Sequence, residues 1–291
     1  MEKAIEKAKA LVEAMEYIHL FRGKIVVVKL GGSVLDDPAL QQALLKDVVF
    51  MATVGIQPII VHGGGKAITK AMNESGLEAQ WVAGRRYTDE RAMAIVEHTL
   101  VHTVNSKLCE IINSFGTEAM GLHSLSSCVL FAEPLQMTDE SGKKIDFGLV
   151  GEVKNINADM LKKLCLSQTI PVIAPVAIDR SGNKLNINAD SAAGKVAAAV
   201  GAEKLVSVSD THGVRKDIND PDSRISSVTE DEIKNLIADG TISAGMMPKV
   251  ESCITALDGG VKKAHIIDGR IPHSLLLEIY TEEGIGTQIV K

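Results

Sequence analysis

Lys29 stands at the end of an apolar run, Ile25-Val26-Val27-Val28-Lys29-Leu30, and Gly31-Gly32 follow at once. A second run, Pro58-Ile59-Ile60-Val61-His62, leads into Gly63-Gly64-Gly65-Lys66. Four to six aliphatic residues bounded by glycine read as a strand buried on both faces. Glycine directly after such a strand lets the backbone approach a ligand closely and turn its N–H groups inward. Two such loops on neighbouring strands would make a surface of backbone donors suited to phosphate, and the Lys29 ammonium would add a full positive charge. Phosphoryl transfer asks for cations on the developing equatorial charge and donors on the phosphates. The simpler reading of either loop alone is a βα turn that needs glycine. Neither is a P-loop, which requires glycine where Ile60 stands and Ser or Thr where Ala67 stands, and neither spells GxGxxG.

Further candidate cations are Lys216 and Lys249, the latter in Gly245-Met246-Met247-Pro248-Lys249, where proline fixes the start of a helix. Asn186-Ile187-Asn188-Ala189-Asp190 precedes an alanine-rich stretch. Asp190 or Asn188 would cap that helix, and the same group would suit holding lysine ammonium groups and polar substrate atoms. Ser209-Asp210-Thr211-His212-Gly213-Val214 is another strand-end turn suited to lining a nucleotide pocket. Arg85 and Arg86 precede a helix capped by Thr88 or Asp89. A guanidinium there either clamps a substrate carboxylate bidentately or is an ordinary surface arginine. His98 and His102 have a metal-ligand spacing, but Thr99 stands where an HExxH glutamate would be, so no metal site is expected.

The elements that must hold these residues alternate. Apolar residues at three- and four-residue spacing predict an amphipathic helix over 1–19, ahead of a strand over 25–30. A helix near 38–53, a strand over 57–62 and helices near 65–75 and 89–113 follow. The pattern then reads as strands over 117–122, 129–132 and 148–153, a hairpin turn at 141–144, a helix over 159–166 and one buried strand over 170–176. After a polar turn at 179–183 come helices over 190–200, 230–239, 249–257 and 273–280, with strands over 204–209 and 265–268. This predicts an α/β fold, a three-layer sandwich with a mainly parallel central sheet and a lobe boundary near residue 178. Ligands of such sheets gather at the carboxyl ends of the strands, where the glycine loops fall.

Composition narrows the function. A net charge of −6 argues against a nucleic-acid surface, and 3% aromatic residues leave little for base stacking. With 45% hydrophobic and 23% charged residues, 291 residues suit a soluble globular protein of one large domain or two lobes. No apolar run reaches the ~18 residues that would span a membrane, and residues 1–14 lack the apolar centre of a signal peptide. Cys109, Cys128, Cys165 and Cys253 are far apart and read as buried thiols of a reducing compartment. The expected location is the cytoplasm.

Taken in order, seven landmarks resemble the amino acid kinase family. They are Val28–Gly32, Val61–Gly65, Gly84–Asp89, Leu185–Asp190, Ser209-Asp210, Gly245–Lys249 and Leu276–Ile279. The nearest likeness is to its arginine-sensitive, hexameric members that phosphorylate N-acetyl-L-glutamate. The resemblance implies ATP-dependent phosphorylation of the γ-carboxylate of N-acetyl-L-glutamate in arginine biosynthesis, with Mg²⁺ accompanying the nucleotide. It puts Lys29 and Lys249 on the transferring phosphoryl group and Asp190 between them. Gly64, Gly65, Arg86 and Asn186 would meet the acetylamino acid, and Gly31, Gly32, Ser209, Asp210 and Lys216 the nucleotide and its phosphates. Residues 1–20 would form an oligomerisation helix, 21–178 an acetylamino acid-binding lobe and 179–291 an ATP-binding lobe. L-Arginine would inhibit by binding at Tyr17, Lys204, His265, Glu278 and Gly286 of a homohexamer, a trimer of dimers.

Two segments depart from the family pattern: His123–Ser127, on the substrate side, and Ser209–Arg215, on the nucleotide side. A kinase for N-acetyl-aminoadipate or another acidic amino acid stays open, because one methylene changes discrimination by only ~1–3 kcal/mol. A catalytically silent regulatory homologue is the other alternative, which the joint presence of Lys29, Asp190 and Lys249 opposes.

Overall fold

Side chains of β1 (Ile25–Leu30) alternate between two packed layers, and this alternation decides where Lys29 points. Val26, Val28 and Leu30 enter a core with α2 (Pro38–Thr53), α5 (Ser106–Ser114) and α10 (Ser274–Tyr280). Val27 enters the opposite core, with α6 (Ala158–Leu166), the alanines of α7 (Ala189–Val200) and α9 (Met247–Asp258). Lys29 is two residues beyond Val27 and so lies on the α7 side. These relations come from a computed structural model that describes residues 1–291 except 125–126, 140, 218–219, 221–222, 244 and 282–283.

The central sheet has eight strands. From one edge they run β5 (Ala119–Leu122), β8 (Ile170–Ile173), β2 (Gln57–His62), β1, β11 (Lys204–Ser209), β13 (Lys263–Asp268), β14 (Thr287–Val290) and β12 (Ser227–Thr229). Neighbours are parallel except β13 and β14. With helices on both faces, this is the three-layer α/β sandwich that the alternation predicts. Register matters most at the centre, where Leu30 pairs with His62 and Val208. Gly31-Gly32 and Gly63–Gly65 therefore leave the sheet side by side at its carboxyl edge, next to Ser209-Asp210.

Other expectations need correction. The apolar run 170–176 is two strands, because Pro175 has no N–H to continue a ladder. β8 stays in the central sheet, and β9 (Val176–Ile178) turns away into a small closed barrel with β6 (Leu130–Pro134), β7 (Val150–Ile156) and β10 (Lys184–Ile187). The strand expected over 148–153 begins at Val150, since Gly148 takes φ +65° and its N–H is held by Asp146. The single helix expected near 89–113 is α4 (Glu90–His98), a π-helical segment Thr99–Asn105, and α5. A short hairpin, β3 (Trp81–Val82) and β4 (Arg85–Arg86), stands apart from both sheets. The amphipathic helix is α1 (Glu2–Phe21), and α3 (Gly65–Glu74) starts inside the second glycine cluster.

α7 and α9 approach closely because glycine stands at their contact. A Cβ on Gly194 would lie 2.5 Å from the Ser252 carbonyl, and one on Gly259 would lie 2.2 Å from Ala198 Cβ. Ser252 Oγ donates to the Asp190 carbonyl at 2.6 Å, tying the first turn of α7 to α9. Gly194→Ala is expected to force these helices apart and cost about 1–3 kcal/mol, the usual penalty of over-packing. Urea denaturation of the variant beside the parent chain measures it.

Candidate active site

Lys29 is only 5% exposed, and its Nζ forms a 2.8 Å ion pair with Asp190 Oδ1. Asp190 lies in the first turn of α7, where the helix dipole favours a carboxylate. The capping position itself belongs to Asn188, whose Oδ1 accepts from the Ser191 N–H at 2.9 Å. That leaves the Asp190 carboxylate for the lysine. Gly31 lets the ammonium lie across the chain, since a Cβ there would stand 2.3 Å from Lys29 Nζ. Gly32, at φ +62°, brings its backbone against the Asp210 carboxylate, 3.1 Å from where a Cβ would be.

Lys249 is half-buried in the first turn of α9 and donates to the Gly245 carbonyl at 3.2 Å. Burial pushes its pKa below the usual lysine value; Asp190 and Asp210 oppose that shift, and Lys29 adds to it. The two lysines and two aspartates thus share one electrostatic neighbourhood at the carboxyl ends of β1 and β11.

Arg86 reaches the same place from the β3–β4 hairpin. Its guanidinium lies 4.7 Å above the Trp81 ring, and Nη2 donates to the Gly65 carbonyl at 3.0 Å and Thr69 Oγ1 at 2.8 Å. Burial lowers its pKa, yet among the described residues no carboxylate pairs with it. Asn186 donates from Nδ2 to Thr88 Oγ1 at 3.1 Å. One cavity of about 260 Å³ is lined by Lys29, Asp190, Arg86, Asn186 and the glycines of both loops. A buried cation without a counter-ion in such a cavity suits an anionic ligand. Trp81 had no signal in the sequence, because a two-residue strand carries no periodicity.

A second cavity, about 410 Å³, runs from Asp210 and His212 to Met246 and Lys249. Lys249 does not line the first cavity, but its charge interacts with those of Lys29 and Asp190, which do. Ser209 lies beneath it, its buried hydroxyl 2.9 Å from Thr211 Oγ1. Lys216 is exposed, binds Ser223 through its backbone, and is not among the lining residues. The His98 and His102 rings are 5.2 Å apart, and among the described residues no three His, Cys, Asp or Glu are grouped to hold a metal ion. Leu125 and Ser126 of the departing substrate-side segment lie outside the described residues.

A third cavity of about 390 Å³ lies under α1, lined by Tyr17, Lys204, His265, Glu278 and Gly286 among others. Burial pushes the Lys204 pKa down to about 8, and its Nζ sits 4.8 Å over the Phe21 ring. Burial raises Glu278, but bonds from His265 Nδ1 and the Ile285 and Gly286 N–H groups outweigh it and hold the carboxyl below its usual range. His265 Nε2 is buried without a partner among the described residues.

Comparison with known proteins fits this geometry. The chain is 45% identical over 291 residues to the acetylglutamate kinase of Halothermothrix orenii, covering 100% of this chain and 99% of that one. It is 43% identical over 291 residues to the acetylglutamate kinase of Symbiobacterium thermophilum, with the same coverage. In three dimensions it resembles N-acetylglutamate synthase from Neisseria gonorrhoeae complexed with coenzyme A and N-acetyl-glutamate, at TM-score 0.85 and 24% identity. That match covers 98% of this chain and 63% of the synthase, so the likeness is one of fold over part of a longer protein. The amino acid kinase family profile matches residues 24–268, which include the glycine loops, Arg86, Asp190 and Lys249, and with that span and those relatives this chain belongs to the amino acid kinase family.

Proposed function

We propose that the protein transfers the γ-phosphoryl group of ATP to the γ-carboxylate of N-acetyl-L-glutamate, forming an acyl phosphate for arginine biosynthesis. The observation that carries this reading is Arg86, a buried guanidinium with no acidic partner among the described residues, in the cavity that holds the Lys29–Asp190 pair. The names of the full-length relatives support the same acceptor. Arg86 binds the α-carboxylate, with Asn186 beside the acetylamino group, and this leaves the γ-carboxylate toward the glycine loops. The acceptor is already ionised at neutral pH, so no general base is required. Catalysis then rests on position and charge.

Lys29 and Lys249 stabilise the charge that develops on the transferring group. Asp190 is a positioning residue that holds the Lys29 ammonium at the reacting end of the cavity. Gly32, Gly64 and Gly65 present backbone N–H groups to the phosphates and the attacking carboxylate. The Gly31 N–H is instead given to the Val208 carbonyl at 3.2 Å, and Gly31 serves by leaving room for the Lys29 ammonium. The cavity between Asp210 and Lys249 takes the nucleotide, with Ser209 beneath it and Lys216 at its outer side. Mg²⁺ arriving with the triphosphate would neutralise phosphate charge, and Asp210 is the residue that would hold it on the protein's side. The exposed Asp210 carboxylate, with no three-ligand cluster around it among the described residues, fits an ion that keeps its waters and is held chiefly by phosphates. A lobe boundary near residue 178, at the end of β9, would put most acetylamino acid contacts on residues 21–178 and most ATP contacts on 179–291, with Asn186 and Asp190 reaching the first cavity from the second lobe.

The third cavity is read as an L-arginine site. Lys204 would meet the ligand's carboxylate and Glu278 its cationic groups, with Tyr17, His265 and Gly286 completing the walls. α1 exposes Ile5, Leu11, Val12, Met15 and Leu20. A second copy of the same helix is the partner that would cover them, and repetition of such a two-fold contact around a ring builds a hexamer of three dimers. Among the described residues no helix is long and apolar enough to cross a membrane. Four free cysteines, two of them buried, suit the reducing cytoplasm.

Lys29→Ala or Lys249→Ala is expected to cut turnover by about 10²–10³ in folded protein. Arg86→Lys should instead raise KM for the acetylamino acid and spare KM for ATP, because lysine cannot reproduce a bidentate fork. Steady-state kinetics with each substrate varied separates these effects. Equal changes in both KM values for Arg86→Lys would remove its assignment. Deleting residues 1–19 should convert hexamers to dimers and abolish arginine inhibition while turnover persists. Light scattering with an arginine titration reads both.

A further inference from the structure

His62 ends β2 between the sheet and the second glycine loop, yet its fully buried ring faces the π-helical segment and not the cavity. Its Nδ1 is 2.7 Å from the carbonyl oxygen of Gly63, and its Nε2 is 3.0 Å from Asn105 Nδ2. Asn105 Nδ2 also donates to the Val172 carbonyl of β8 at 2.9 Å. A carbonyl only accepts, so Val172 fixes which end of the Asn105 amide is nitrogen. That nitrogen then needs an acceptor at His62 Nε2. The proton is left on Nδ1, which donates it to Gly63. Burial pushes the His62 pKa down to about 4, so the ring is neutral across the working range.

Holding the Gly63 oxygen has a consequence one atom further on. A planar trans peptide puts its C=O and the following N–H on opposite sides. With the Gly63 oxygen drawn down to His62, the Gly64 N–H is turned up toward the cavity that Gly63, Gly64 and Gly65 line. Among the described residues neither the Gly64 nor the Gly65 N–H has a backbone acceptor.

The π segment supplies both parts of this arrangement. Its last residue is Asn105, and its second, Leu100, packs so tightly that a Cβ on Gly64 would lie 2.6 Å from Leu100 Cδ2. Asn105 is clamped in turn: a Cβ on Gly121 would stand 2.2 Å from its Oδ1, and the Cys109 thiol donates to that oxygen at 3.9 Å. A regular helix through 99–105 would change the register of Leu100 against Asn105. Wide turns of this kind occur often at functional sites.

We infer that His62 is a positioning residue that aims the Gly64 N–H at the transferring phosphoryl group, and that Asn105 selects the imidazole tautomer able to do so. This rests on the phosphoryl-transfer reading above. His62→Gln places its amide near the Nε2 position and loses the donor to Gly63. His62→Asn keeps a nitrogen near Nδ1 and retains that donor. His62→Gln is expected to lower kcat roughly 10²-fold, the usual cost of one lost oxyanion donor, with KM for ATP unchanged. His62→Asn should recover about tenfold of that loss.

Wild-type turnover with N-acetyl-L-glutamate decides the reaction itself. The ratio between variants, taken with whichever acceptor turns over, decides His62. Parent-like kcat in His62→Gln, or equal losses of kcat in both variants that track equal losses of Tm, would overturn the assignment. The parent chain gives a second readout if a variant fails to fold. Adding ADP, aluminium fluoride and the acceptor should move the Gly64 amide proton downfield, and an unmoved resonance would also overturn it.

Discussion

A lysine ammonium taken out of water costs several kcal/mol unless an opposite charge meets it, and the Lys29–Asp190 contact at 2.8 Å is the compensation on which this site is built. The contact constrains much that surrounds it. Lys29 must face the α7 layer, which strand alternation from Val27 ensures. α7 must begin beside the end of β1, and Asn188 must take the cap so that Asp190 is spared. Gly31 must lack a side chain, because the ammonium occupies that space. α9 must then pack closely on α7 to bring Lys249 near, which the glycines at 194 and 259 permit.

Charge at this edge of the sheet is deliberately incomplete. Asp190 answers Lys29, while Lys249 is half-buried and, among the described residues, bonded only to a carbonyl, and Arg86 is buried with stacking and neutral acceptors. A protein selected for stability alone would pair or remove such groups. The surplus positive charge is a cost in the free protein that an anionic substrate and a triphosphate relieve. Gly64 and Gly65 add N–H donors that take no backbone acceptor among the described residues. Positive charge and free N–H groups meet where parallel strands end, the usual ligand position of an open α/β sheet.

Much of this was legible in the sequence. Lys29 and the glycine clusters stood out because a charged residue and paired glycines interrupt continuous aliphatic runs. The central strands and their flanking helices followed from the same runs. The sequence left Asn188 and Asp190 as rival caps, and only the backbone geometry separates them. The break at Ala174-Pro175 was hidden because an apolar run looks alike in one buried strand or two. Residues 99–105 keep the apolar spacing of their neighbours, so the wide turn that seats Asn105 against His62 leaves no trace in periodicity. The barrel and the β3–β4 hairpin consist of strands of two to seven residues, several too short for alternation to register.

The site as described is built to make an acyl phosphate on one particular acidic acceptor. Hydroxylamine converts an acyl phosphate to a stable hydroxamate, so trapping it with Mg²⁺ and ATP in separate reactions tests this directly. N-acetyl-L-glutamate, N-acetyl-aminoadipate, aspartate and no acceptor are the four arms. Hydroxamate and matching ADP are expected with N-acetyl-L-glutamate, well above the other three. Hydroxamate chiefly from N-acetyl-aminoadipate or aspartate, or none from any acceptor with folded protein, would contradict it.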